Sequence, residues 1–300
     1  MRLAITHETR YSYSPAVQTA QHVAHLQPAD TPCQKVLRHS LQVEPAATVL
    51  HNVDAYCNHR AYWALNKPHD GLLVRACSEI ETHEIAQAKA TQSWESVREH
   101  FRYRGGLPAD VNNGFVFGSH HAPVHEAFLA YAQSSFSPAR PLMQAAIELT
   151  ARMHSDFTYA SQSTDINTPA LEALQAKRGV CQDFAHILLA CLRSLGLPAR
   201  YVSGYLLTQP PPGQPRLVGS DASHAWASVY LPELASHACQ GWLDLDPTNN
   251  RCGLASPGLD YVRLAVGRDF ADVSPLRGVL QGGGKHTLEV AVTVAPLDDY

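Results

Sequence analysis

Residues 177–195 read KRGVCQDFAHILLACLRSL. Gly179 breaks the helical pattern before it, and beyond it the apolar residues recur at helical spacing through Phe184, Ile187, Leu188, Cys191 and Leu192. The reading is a helix that begins at about Cys181. Unpaired N–H groups and the positive end of the helix dipole gather at such a position and favour a thiolate there. A nucleophilic cysteine gains most at this place in a helix. Cys191 lies inside the apolar run and reads as a core thiol.

Outward from this helix the chain divides by pattern. Upstream, residues 124–133, 141–154 and 169–177 each repeat apolar residues at i, i+3 and i+4, and Thr168-Pro169 reads as an N-cap followed by proline in the first turn. SWESVREHFR (93–102) reads as a short helix capped by Ser93, followed by a loop over 104–123. Downstream the period changes to that of strands at 199–208, 224–231, 242–246, 262–266 and 286–295, with a Pro/Gly loop at 209–215. The amino-terminal third is also strand-like, at 3–13, 36–43, 61–64 and 72–82, with breakers at Pro28, Pro45 and Pro68 between the strands. The fold class is α+β, an amino-terminal antiparallel β-domain before a helix-then-sheet core. The division is 1–85 for the β-domain, 86–135 for a helical and loop connector, and 136–300 for the core.

Composition narrows the function. The 300 residues are 45% hydrophobic and 17% charged, as expected of a globular chain. Net charge is −4, with no clustered Lys or Arg, so neither nucleic acid nor an anionic membrane is an expected partner. The longest apolar run, Ile187 to Leu192, is far short of a membrane span, and the first residues lack the apolar stretch of a secretion signal. The expected location is cytoplasmic. The seven cysteines lack CxxC spacing and read as free thiols. The histidines form no zinc-like array, and GGGK (282–285) is not a phosphate loop, so neither a metal nor an organic cofactor is expected.

A cysteine nucleophile needs a base, and the base needs an orienting group. His224 begins the strand HAWASVYL, and Asp246 ends the strand WLDLD. Neighbouring strands would place the two side by side at a sheet edge facing the helix tip, and the order Cys, His, Asp is that of a papain-like layout. Asp244 stands on the same face as Asp246, so alternation alone does not separate them. Gln175, Tyr159 and Trp226 are rivals for the second oxyanion donor beside the Cys181 backbone N–H. His186 falls roughly 140° round the helix from Cys181 and reads as a packing residue. Asp183 reads as a first-turn acid, Gln182 as a possible cleft residue, and Arg268 with Asp269 as a structural pair.

The segments GVCQDFAH (179–186), LPARYVSGYL (197–206), ASHAWASVY (222–230), GWLDLDPTNN (241–250) and GRDFADVSPLRG (267–278) together resemble the bacterial transglutaminase-like superfamily. The first eighty or so residues resemble the amino-terminal domain that precedes this core in many bacterial members. The pieces that carry this are the Thr9–Tyr13 strand, VLRHSLQVEP (36–45), DAYCNHR (54–60) and LLVRACSEIET (72–82). The resemblance implies a papain-like core in which Cys181 is the nucleophile, His224 the general base and Asp246 the orienting acid. It implies acyl transfer or hydrolysis at a peptide bond or glutamine amide through a thioester, in the manner of a cysteine protease, amidase or transglutaminase, acting on a peptide or protein. Hydrolysis is favoured over crosslinking, because water is abundant and the sequence shows no second amine site. The alternative is a catalytically silent interaction scaffold of the same fold.

Overall fold

The computed structural model describes residues 1–102, 105, 110–160, 168–208 and 223–297. The loop expected at 209–215 lies outside these residues.

The first strand, β1 (Arg2–Ala24), runs through the middle of a seven-stranded sheet. Its alternation turns Leu3, Ile5, His7 and Thr9 inward. Over its first half β1 pairs antiparallel with β5 (His69–Thr82) on one side and β14 (Lys285–Pro296) on the other. Over its second half the partners are β4 (His59–Leu65) and β13 (Leu276–Gly282). β2 (Gln34–Glu44) lies outside β5, and β3 (Leu50–Val53) outside β4. The division read from sequence groups residues 276–296 with the core. By hydrogen bonding they join the amino-terminal sheet, because β1 is long enough to offer both halves of its edge.

The second sheet has the order β11-β10-β9-β8-β12, all antiparallel where pairing is defined. Its strands are β8 (Ala199–Leu206), β9 (Ser223–Tyr230), β10 (Trp242–Asp246), β11 (Arg251–Leu254) and β12 (Tyr261–Gly267). The helix read from the opening stretch is α5 (Cys181–Ser194), and every residue from Asp183 to Arg193 is buried. It packs on β8 and β9, with α2 (Glu126–Gln133), α3 (Leu142–Asp156) and α4 (Ala170–Ala176) against its other sides. One large apolar core joins these helices to the inner face of the second sheet. Before them stands α1 (Trp94–Phe101), whose first-turn N–H of Ser96 is accepted by the cap Ser93 at 3.3 Å. The cap of α4 is Pro169 rather than Thr168, so that helix starts one residue later than its sequence signal. A single turn, α6 (Phe270–Val273), follows β12. Among the described residues no helix is long and apolar enough to cross a membrane.

The two sheets are joined by side chains as well as by packing. β12 is the outer strand of the second sheet, and its backbone is met by two buried amides, Gln34 at the start of β2 and Asn58 in the turn before β4. Gln34 gives Nε2 to the Arg263 carbonyl and takes the Arg263 N–H on Oε1, both at 2.8 Å. Asn58 does the same with Val266, again at 2.8 Å in both directions. Each side chain thus stands in for a peptide unit of a missing neighbour strand, which satisfies an edge that would otherwise be open.

Candidate active site

The start of α5 is fixed by its own sequence. Asp183 sits in the first turn and accepts the backbone N–H of Val180 at 2.8 Å, which closes the turn around Cys181. A Cβ on Gly179 would lie 2.6 Å from the same carboxylate, so only glycine lets the chain enter here. Cys181 is therefore the first residue of the helix, with its side chain partly exposed.

β9 and β10 bring the other two residues to this point. Their register sets Asp244 opposite Ser228 and Leu245 opposite Ala227. One step on, Asp246 comes level with Trp226, and His224, two residues further along β9 on the same face, reaches it diagonally. His224 Nε2 donates to Asp246 Oδ2 at 2.7 Å, with both groups buried. The thiol of Cys181 acts on the same imidazole. Burial alone would lower the proton affinity of His224, but the bond to Asp246 and the influence of Cys181 outweigh it and push its pKa up to about 10. Burial would likewise raise that of Asp246. The hydrogen bond from His224, its charge and the donors Tyr261 and Asn249 hold the carboxyl below its ordinary range instead. The three residues singled out from the sequence meet in the order Cys181, His224, Asp246.

The same register separates the two aspartates that alternation could not. Asp244 turns to the interior, where it accepts Trp226 Nε1 at 2.9 Å and the hydroxyl of Ser228. Trp226 lies over Gly204, whose Cβ, if present, would be 2.6 Å from the indole and 2.2 Å from the Val262 carbonyl. With its N–H given to Asp244, Trp226 is a packing residue against His224, ring centroids 6.1 Å apart, and not an oxyanion donor. Gln175 is exposed on α4. Of the three oxyanion rivals, Tyr159 is the one whose backbone adjoins the nucleophile: its short strand β6 (Thr158–Tyr159) pairs with β7 (Arg178–Gly179) immediately before Cys181.

His186 is buried between His121 and Tyr201, at 5.1 and 5.0 Å between ring centroids, and takes the Phe270 N–H on Nε2. Burial lowers its pKa to about 3. Arg268 pairs with Asp272 rather than Asp269, through Nε and Nη2 at 2.9 and 3.0 Å. Asp269 instead caps α6 and accepts the His121 N–H at 2.9 Å. The cap wins because Asp269 precedes the turn and points back along it, whereas Asp272 is one turn on and faces Arg268.

Two residues at the site have no counterpart in the sequence reading. Tyr261 OH and Asn249 Nδ2 both donate to Asp246 Oδ2, at 2.7 and 2.8 Å. Asn249 closes the turn that begins at Asp246, a pattern an Asp-Pro-Thr-Asn run contains. Tyr261 comes from a different strand, and nothing local in the sequence connects it with Asp246.

Comparison with known proteins agrees with this architecture. Residues 129–247 match the Transglutaminase-like superfamily core, and residues 3–81 match the Bacterial transglutaminase-like N-terminal region. An uncharacterized protein of Mycobacterium tuberculosis is 38% identical over 304 residues, covering 99% of this chain and 93% of its own length. The Protein-glutamine gamma-glutamyltransferase of Pseudomonas aeruginosa is 31% identical over 113 residues, which are 37% of this chain and 16% of that protein. Among solved structures, a candidate cysteine protease from Cytophaga hutchinsonii superposes with a TM-score of 0.73 at 22% identity, covering 100% of this chain and 92% of that one. With both of its regions matched in order and the fold shared over its full length, the chain belongs to the transglutaminase-like superfamily.

Proposed function

We propose that this protein is a thiol-dependent amide hydrolase or acyltransferase acting on a peptide bond or a glutamine side chain, with Cys181 as nucleophile, His224 as acid–base and Asp246 as its orienting carboxylate. The observation that carries the reading is the 2.7 Å bond from His224 Nε2 to a buried Asp246, on an imidazole whose proton affinity the thiol at the N-terminus of α5 also raises. A histidine held at one nitrogen by a carboxylate presents the other nitrogen to the thiol in a fixed orientation.

The chemistry follows from that arrangement. The Cys181 thiolate adds to the amide carbonyl, and the helix N-terminus faces the developing oxyanion. The imidazolium of His224 gives its proton to the departing amine or ammonia as the C–N bond breaks, leaving a thioester. Water then adds, with its proton taken by His224, and the C–S bond breaks to give a carboxylic acid and the free thiol. Asp246 stays ionised throughout and stabilises the imidazolium. Water is the more abundant acceptor, so hydrolysis is the main outcome. The partial likeness to a protein-glutamine gamma-glutamyltransferase supports the glutamine amide as one substrate class.

The test uses a library of glutamine-containing peptides with two readouts, ammonia release and new amino termini. Wild-type protein releases one of these products, and Cys181→Ser releases neither. In parallel, iodoacetamide labels Cys181 faster than the exposed Cys252 at mildly acidic pH, and His224→Ala removes the difference. Equal labelling of the two thiols with no turnover overturns the proposal and favours a silent scaffold.

A further inference from the structure

We infer that Tyr261 is a positioning residue of this site, holding Asp246 as an oriented carboxylate behind His224. The inference rests on the reading of Cys181, His224 and Asp246 given above. Asp246 is fully buried. Its Oδ1 is filled by the backbone N–H groups of Thr248 at 2.9 Å and Asn249 at 3.4 Å. Its Oδ2 receives His224, Tyr261 and Asn249 together. Of the two donors besides the histidine, Asn249 is exposed and water can replace it, whereas Tyr261 is 2% exposed and water cannot.

The phenol is itself held from three sides. Its ring meets Trp226 edge-on at 5.4 Å and 87°, and lies 5.9 Å from His224. The Arg251 guanidinium lies 4.7 Å from its centroid and pairs with Asp260 through two bonds of 2.5 and 2.7 Å. Its backbone opens β12, the strand tied down by Gln34 and Asn58. A position that needed only packing would be served by phenylalanine. The hydroxyl here is aimed at one carboxylate oxygen and favours its ionised form. Without it, Oδ2 can turn away from His224, and forms of the site with a proton on Asp246 gain ground as pH falls. The titratable and charged groups around that carboxylate are His224 from β9, Tyr261 from β12 and Arg251 from β11, with Cys181 of α5 on the far side of the imidazole.

The experiment follows Cys181 alkylation by iodoacetamide against pH, by peptide mass spectrometry, in wild type, Tyr261→Phe and Tyr205→Phe. Tyr205 is the control: it too is buried, and its hydroxyl bonds His7 Nδ1 at 3.0 Å, away from the site. Cys191 is fully buried and reports unfolding in the same spectra, so rates are compared only where it stays unlabelled, with an excluded osmolyte added if a variant is marginal. Loss of one bond to a buried charge predicts alkylation roughly tenfold slower near pH 6 in Tyr261→Phe, with its acid limb displaced upward. Tyr205→Phe follows wild type. A Tyr261→Phe profile that superimposes on wild type overturns the inference, and so does an equal displacement in Tyr205→Phe, which would report loosened packing. A wild-type profile indifferent to His224→Ala overturns the underlying catalytic reading instead.

Discussion

Asp244 and Asp246 are both fully buried, stand two residues apart on one strand and do different work. Asp246 spends its oxygens on His224 and the donors around it, and Asp244 spends its own on Trp226 and Ser228. Asp246→Asn is expected to lower Cys181 reactivity by orders of magnitude, because an amide no longer holds the imidazolium. Asp244→Asn is expected to cost about 2–3 kcal/mol in urea unfolding and to leave Cys181 alkylation within a few-fold of wild type. Equal effects of the two on alkylation would mean that Asp244 also governs the histidine. Cys181 and His224 were legible in the sequence because each carries a local signal, a helix start and the head of a strand. Alternation left the choice between the aspartates open, since both lie on one face; the family resemblance chose Asp246, and the bond from Ser228 to Asp244 gives the physical reason. Tyr261 had no signal at all, because its partner lies across the sheet rather than along the chain.

Elements followed their sequence patterns where local and tertiary preferences agree. α1, α5 and β10 fall within a residue or two of their expected bounds. The strands missed are β3, β6, β7, β11 and β13. β13 runs into the glycines of 282–284 and carries no clear strand alternation, and it is a strand because the second half of β1 offers it seven residues to pair with. β12 shows the same dependence on tertiary context. Its outer edge is completed by Gln34 and Asn58, so Asn58→Ala leaves the N–H and C=O of Val266 buried without partners. We expect a loss of about 2–4 kcal/mol and faster hydrogen exchange at the Val266 amide, while the Val229 amide of β9 stays protected. Unchanged exchange at Val266 would show that the edge is closed without the amide.

At the scale of the whole molecule the buried histidines set an acid limit. His7 is buried beside Tyr205, and His186 between two aromatic rings. Burial lowers their pKa values to about 4 and about 3, and His22 is likewise lowered to about 4. The unfolded chain takes up these protons near 6.5 and the folded one only well below, so stability falls as pH drops from about 6.5 towards 4. His7 and His186 account for on the order of 3 kcal/mol each. His224 has the opposite sign: its raised pKa supports folding below about 6.5, and that support fades as pH rises towards about 10. Urea midpoints are therefore expected to drop steeply between pH 7 and 5, and His7→Gln to flatten that drop. A midpoint constant over this range would mean that the buried imidazoles find protons without unfolding. The pairing of β1 with β14 bears on another matter, the timing of synthesis. β1 is made long before β14, and until residues 285–296 emerge one edge of its first half stands open on the nascent chain. The growing polypeptide must keep that edge from wrong partners while all the chain between the two strands is made, and the sheet closes only on residues 285–296.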